Sequence, residues 1–412
     1  MNLELFIARR LLRGTKKNTI SVPIVKIALV GIALGVCVML LSIFVIAGFK
    51  QEITHKLTGF SSHLNIVSYG NTNYYGESKV RFSDTLYSEL HAINGVKNAY
   101  GFITKPGILK SDTEIHGGVL YGVDSLYDRK FIEENVVDGV FPDYMTGETS
   151  NDILLSTSVA NLLGVKTGDK IQAHFVQEPP RVRVFTVKGL YNTGFKEYDD
   201  LFAFCDMRHL QRLNGWTAGE MSGIAVELDE MELIPDILED VEAILPWGES
   251  GNDFYKVQTI YEMSPQIFDW LELLNVNVWV IMILLIAVAG FNMVSGLFIL
   301  ILDKTSLIGI LKAFGYRNVS LRKLFLYISM GLIGRGIIWG NLLAFLLAFL
   351  QYKFNIIRLD PSAYYMDTVP LVFNVGYILL LDVSVLFIAT LMLVIPTMLI
   401  SRIKPIKAIR FE

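Results

Sequence analysis

Four long stretches of this chain are nearly free of charge, and they decide what it can fold into. Ile27 to Phe49 holds 23 residues without a charged side chain, and Leu273 to Leu302 holds 30. Leu324 to Tyr352 is interrupted only by Arg335, and Thr368 to Ser401 only by Asp382. A bilayer core about 30 Å thick needs roughly 20 helical residues, so each stretch is long enough to cross. Composition agrees: 52% of residues are hydrophobic, 18% are charged, and mean hydropathy is +0.45. An average soluble domain is about 25% charged, so this chain lacks the groups to cover a wholly water-facing surface. Disorder is excluded by the same hydrophobicity, and a net charge of −4 argues against a nucleic-acid binder. Basic residues precede the first stretch, as they would a signal peptide. It is too long for that role and has no clear small-x-small site, so a retained anchor is expected.

Charge distribution predicts the orientation. Segment 1–26 carries a net +5, loop 303–323 +4 and tail 402–412 +3, whereas residues 50–272 set 18 basic side chains against 34 acidic ones. Short basic segments stay in the cytoplasm, so both termini and loop 303–323 are expected inside. The expected order is a cytoplasmic or interfacial segment 1–26, a first span 27–49, and a large outside domain 50–272. A second span 273–302, the inner loop 303–323 and a third span 324–352 follow. An outer loop 353–373, a fourth span 374–401 and the inner tail 402–412 complete the chain.

The outside domain reads as α/β. "HLNIVSYG" (63–70) and "IAVEL" (224–228) have strand patterns, while "FSDTLYSELHAI" (82–93) and "LIPDILEDVEAI" (233–244) have helical spacing behind start signals. A middle portion, about 123–216, has its own strands and turns, which predicts one lobe in two segments with a second lobe inserted.

Reaction chemistry is sparse. No GxxxxGK[ST] loop, HExxH or GxSxG motif occurs, and the six histidines all lie in the outside domain without ligand spacing. Two cysteines, Cys37 in a span and Cys205 outside, exclude a disulfide scaffold and a thiolate zinc site. The acidic run Glu197, Asp199 and Asp200 reads as a solvated turn. No catalytic, cofactor-binding or metal-binding residue is therefore expected, and the chain reads as a non-enzyme. Arg335 and Asp382 are the ionisable residues at membrane depth. At 1.5 Å per residue they lie about 15 and 20 Å from the inner face. A lone charge there costs at least about 2.5–3.5 kcal/mol, so the two are expected to face each other as an ion pair fixing helix packing.

Gly31 and Gly35, and Gly336 and Gly340, form GxxxG spacings suited to close helix approach. Asn292, in the second span, is expected to bond a neighbouring helix. Residues 3–13 read equally as an interfacial helix or as a plain positive-inside anchor. In the inner loop, "DKTSLIGILKAFGYRNVSLRKLF" (303–325) reads as a short amphipathic helix closed by Gly315. Its apolar side, Leu307, Ile310, Leu311 and Phe314, has the spacing of a docking surface.

Along nearly its whole length the chain resembles FtsX-like ABC permeases of the lipoprotein-releasing LolC/LolE type, within the MacB-like superfamily. The resemblance rests on "LFIARRLLRG" (5–14), "GIALGVCVMLLSIFVIAGFKQEITHKLTGFSSHLNI" (31–66), "LGVKTGDKI" (163–171) and "TGFKEYDD" (193–200). It continues in "LIAVAGFNMVSGLFILILDKTSLIGILKAFG" (285–315) and "KPIKAIRFE" (404–412). The resemblance implies a four-helix membrane subunit whose extracytoplasmic α/β domain, with Porter-like and Sabre-like lobes, sits between helices 1 and 2. It implies location in the inner membrane, dimerisation with a second permease subunit, and recruitment of cytoplasmic LolD-like ATPases, which bind the ATP and Mg. Gly309, Ile310, Leu311, Lys312 and Gly315 then fall on the ATPase-contacting loop. Lipoprotein substrates are expected to enter between the first two spans, where helix position suggests Met39, Ile43, Phe291, Val294 and Phe298 as cavity residues. A periplasmic carrier is expected to dock on a hook loop in this family, but here only Gln177–Arg181 separates the flanking strands. Two alternatives stay open: a MacB-type efflux mechanotransmitter, and a scaffold activating an outside hydrolase.

Overall fold

Inside lipid an unpaired backbone amide has no water to bond, so apolar spans must close their hydrogen bonds within a helix. The computed structural model describes residues 3–13, 21–69, 79–144, 147–245 and 255–398. Helices α1 (Leu3–Arg13) and α2 (Ser21–Ser61) come first. An α/β region opens with β1 (Leu64–Ser68), β2 (Val80–Arg81), α3 (Asp84–Ala92), β3 (Val96–Lys110), β4 (Ile115–Val123) and α4 (Lys130–Glu134). It continues through β5 (Val136–Gly139), β6 (Asp152–Ser156), α5 (Thr157–Leu163), β7 (Lys170–Phe175), β8 (Arg181–Tyr191) and α6 (Lys196–Asp199). Then come β9 (Phe202–Asp206), α7 (Met207–Asn214), β10 (Glu220–Met221), β11 (Gly223–Leu228), α8 (Ile234–Ile244), β12 (Tyr255–Thr259) and α9 (Ile260–Met263). The chain returns to helix in α10 (Pro265–Asp303), α11 (Thr305–Ala313), α12 (Asn318–Phe354), α13 (Pro361–Tyr364), α14 (Val375–Met392) and α15 (Val394–Thr397). The expected signature at 404–412 lies outside the described residues.

Two units result. A membrane unit takes the chain up to Lys50, Trp270–Arg358 and the part from Thr368 on; an α/β unit takes Gln51–Asp269 with Leu359–Asp367. Helices long and apolar enough to cross a membrane are Lys26–Ser61, Pro265–Asp303, Asn318–Phe354 and Val375–Thr397. Three outrun the uncharged blocks. Past Phe49, α2 continues because Ile53, Leu57 and Phe60, all buried, keep helical spacing to Ser61.

In the membrane unit α12 is the central helix. It packs against α1 and α14, and Gly336 and Gly340 bring it onto α2. A Cβ at Gly336 would stand 2.6 Å from Ile32 Cγ2, and one at Gly340 would stand 2.7 Å from the Ala33 carbonyl oxygen. No side chain fits there, so of the two GxxxG pairs this one makes the close approach. A Cβ at Gly35 would meet nothing within 4 Å, and one at Gly31 would stand 3.1 Å from the Asn292 amide of α10. A Cβ at Gly290 of α10 would meet only the tip of the flexible Met392 side chain, which can give way. Helix α1 buries Ala8 in this bundle while leaving Leu5 and Phe6 exposed.

In the α/β unit the strand order is β12-β1-β11-β3-β4-β9-β6-β8-β5, with β7 joining β3 and β8. Strand β3 joins two parts of the sheet: Val96–Phe102 pairs with β11, and Ile103–Lys110 pairs with β4. The expected inserted portion at about 123–216 is thus joined to the rest through β3 and β4, which lie before 123 in the same sheet. Helix ends follow local chemistry. Ser83, Ser156 and Asp206 cap α3, α5 and α7, and Gly164 and Gly215 end α5 and α7 at φ 66° and 68°. Strands β7 and β8 pair from Lys170↔Thr186 to Phe175↔Arg181, so residues 176–180 alone connect them.

The acidic run at 197–200 departs from expectation. Asp199 is 4% exposed, its carboxylate accepting from Thr193 Oγ1 at 2.7 Å and Thr193 N at 3.2 Å. Burial pushes its carboxyl up to about 6, against those hydrogen bonds and nearby Lys56, which pull it down. The histidines are structural where they are buried. His63 Nδ1 accepts from Leu228 N, and burial, with Lys97 adding, lowers it to about 4.

Overpacking a tight contact costs about 1–3 kcal/mol. Gly340→Ala is therefore expected to lower the thermal unfolding midpoint of the detergent-solubilised protein, whereas Gly35→Ala leaves it unchanged. Equal midpoints for the two variants would refute the α2–α12 contact.

Candidate coupling surface

The short helix between the second and third spans offers the clearest surface for a partner. Residues 305–313 form α11, which ends because Gly315 takes φ 84°. There Gly315 N donates to Lys312 O at 3.0 Å and Tyr316 N to Leu311 O at 3.0 Å, a Schellman closure. The helix has two sides. Ile308 and Gly309 are buried, and Leu307, Leu311 and Lys312 are half-buried, with Leu311 packed on the membrane-unit core. Ile310 is 43% exposed and Phe314 83% exposed. The expected apolar face thus splits, because Leu311 and Ile308 hold the helix to its own bundle. Ile310, Phe314 and, at the start of α12, Val319 are left facing outward.

The expected Arg335–Asp382 ion pair is absent from the structure. Arg335 is exposed, and Asp382 Oδ2 instead accepts from Asn341 Nδ2 at 2.7 Å, joining α14 to α12. Helical rotation explains the change. Arg335 and Asn341 are six residues apart, which at 3.6 residues per turn turns them about 120° from each other. Depth alone allowed the pair; azimuth forbids it. Asn341 was missed although its signal was visible, an amide within an apolar run one position from Gly340.

The cavity candidates separate as well. Met39 is 0% exposed inside the bundle. Ile43 and Val294 are half-buried against the same core, and Phe291 and Phe298 face outward at 68% and 40% exposure. Asn292 is exposed, its amide lying over Gly31. Among the described residues no three His, Cys, Asp or Glu side chains are placed to share a metal ion.

Among the described residues, four membrane-length helices, an α/β insertion between the first and second, and a short helix between the second and third give the architecture of a multi-span membrane protein. A MacB-like periplasmic core domain matches residues 27–244, and an FtsX-like permease C-terminal region matches 279–405. The chain belongs to this MacB-like, FtsX-like ABC permease family. Among its relatives is the lipoprotein-releasing system transmembrane protein LolC of Neisseria meningitidis serogroup B, 27% identical over the full length of both chains. Another is the lipoprotein-releasing system transmembrane protein LolE of Haemophilus influenzae, 22% identical over 98% of each chain. Of solved structures, the extracellular domain of the noncanonic ABC-type transporter YknZ from Gram-positive bacteria is similar over 48% of this chain and all of its own, at 18% identity and a TM-score of 0.35.

Two outcomes test this surface. Phe314→Asp is expected to abolish co-purification of an ATPase partner while leaving the permease folded, whereas Leu311→Asp lowers thermal stability as well. An unpaired buried polar group costs about 1–3 kcal/mol. Asn341→Ala should therefore destabilise, the exchange N341D/D382N should recover stability, and R335D/D382R should be no better than either single reversal.

Proposed function

We propose that the chain is the membrane subunit of an ABC transporter that extracts lipoproteins from the outer leaflet of the inner membrane for transfer to the outer membrane. Both termini and α11 face the cytoplasm in this reading, and the α/β unit faces the periplasm, as the basic segments 1–26, 303–323 and 402–412 favour. The observation that carries it is the full-length match to LolC. The exposed Ile310 and Phe314 support a dock for LolD-like ATPase subunits, which would supply ATP, Mg and all bond-breaking chemistry. A second permease subunit, identical or not, completes the assembly.

With no reacting groups required of this chain, transport reduces to moving a lipid anchor mechanically. ATP-driven closure at the cytoplasmic face displaces the periplasmic lobes, and Ile43, Val294, Phe291 and Phe298 remain candidates to line the anchor's path. The connection at 176–180 is too short to reach far from the β7–β8 hairpin, so a periplasmic carrier would dock on another surface or on the partner subunit.

Depletion of the protein followed by membrane fractionation is expected to leave lipoproteins in the inner membrane. Normal lipoprotein sorting combined with new sensitivity to toxic solutes would replace this reading with efflux. Activation of a co-purified periplasmic hydrolase by ATP would replace it with a scaffold.

A further inference from the structure

Residues 359–367, between α12 and α14, belong to the α/β unit although both flanks belong to the membrane unit. The segment is a closed loop. Arg358 and Thr368 bridge its neck, Leu359 N donates to Asp367 O at 2.8 Å, and Ala363 N and Tyr364 N both donate to Asp360 O at 3.0 Å. Tyr365 turns the chain with φ 60°, the left-handed region that a non-glycine residue rarely adopts.

The turn at Tyr365 presents two groups to the rest of the unit. Its carbonyl accepts from Lys56 Nζ at 3.0 Å, near the end of α2, and its ring meets Phe195 edge-on at 4.9 Å. Its hydroxyl donates to Glu197 Oε1 at 3.4 Å, and the adjoining Met366 is 4% exposed. Lys56 is itself 9% exposed, with Glu52 at 4.0 Å and the carboxylates of Asp199 and Asp367 nearby. Gly194, at φ 69°, leaves room for the ammonium, since a Cβ there would stand 3.3 Å from Lys56 Nζ. The loop between the third and fourth spans, the end of α2 and the 193–199 segment of the inserted lobe therefore meet at one ammonium group.

We propose that loop 359–367 is a strap, seated by Lys56 and the Gly194–Glu197 segment, through which movement of the third and fourth spans is passed to the α/β unit. This rests on the permease reading above. The loop is covalently continuous with α12 and α14, and its seat combines a directional hydrogen bond with a ring contact. Such a contact is either made or broken, as a transmitting element requires.

The test uses the permease with its ATPase in proteoliposomes carrying a fluorescent lipoprotein. Lys56→Met keeps the aliphatic stem and removes the donor. It is expected to leave basal ATP hydrolysis near native while lipoprotein released per ATP falls at least about fivefold. In the same membranes the thiol introduced by Met366→Cys should resist maleimide when Lys56 is present and react in the Lys56→Met background, and Lys56→Arg should restore both readouts. Equal labelling of the Met366→Cys thiol in the two backgrounds overturns the seat. Faster labelling with unchanged release per ATP overturns the transmission. A native complex that hydrolyses ATP but releases no lipoprotein would overturn the substrate assignment alone, leaving the strap to be decided by thiol protection.

Discussion

Helices in a bilayer gain nothing from hiding apolar side chains, because lipid tails are as apolar as leucine. What holds this bundle is therefore contact geometry, and the geometry is concentrated on one stretch of α12. Gly336 and Gly340 admit α2 to backbone contact distance, and the next residue, Asn341, reaches Asp382 of α14. One helical turn thus fixes two neighbours by two means, steric fit on one side and a hydrogen bond on the other. Each is worth little alone; interhelical hydrogen bonds in membranes average roughly 0.6 kcal/mol. Their placement together specifies which helix lies where, and that arrangement supports α11, whose Ile308 and Leu311 pack into the same core.

Much of this was legible from residue order. The spans follow from charge-free length, and the α/β character of the region between the first two follows from strand and helix patterns at 63–70, 82–93, 224–228 and 233–244. What escaped was rotational or three-dimensional. A depth calculation places Arg335 and Asp382 at compatible heights but says nothing of azimuth, and azimuth decided the partner. Periodicity put Leu307, Ile310, Leu311 and Phe314 on one apolar side, yet cannot say how much of that side the protein itself covers. Asp199 sits in an acidic run that looks solvated, and only the fold reveals Thr193 bonding to it. Strand β3 is long enough to serve two partners, β11 and β4, a length that local pattern does not disclose.

The charge distribution gains meaning from the same view. A buried ammonium is costly unless it is paired and hydrogen-bonded. Lys56 is such a group: it is nearly covered, it has Glu52, Asp199 and Asp367 around it, and it spends a hydrogen bond on a backbone carbonyl. An apolar side chain at this point would hold the loop by area and let it slide. A hydrogen bond to the Tyr365 carbonyl has one geometry, so displacement of the loop breaks it and leaves the ammonium with its carboxylate neighbours alone. The resulting resistance is steep and short-ranged. If the chain works by displacement, as proposed above, a directional hydrogen bond is a joint that packing alone would not provide.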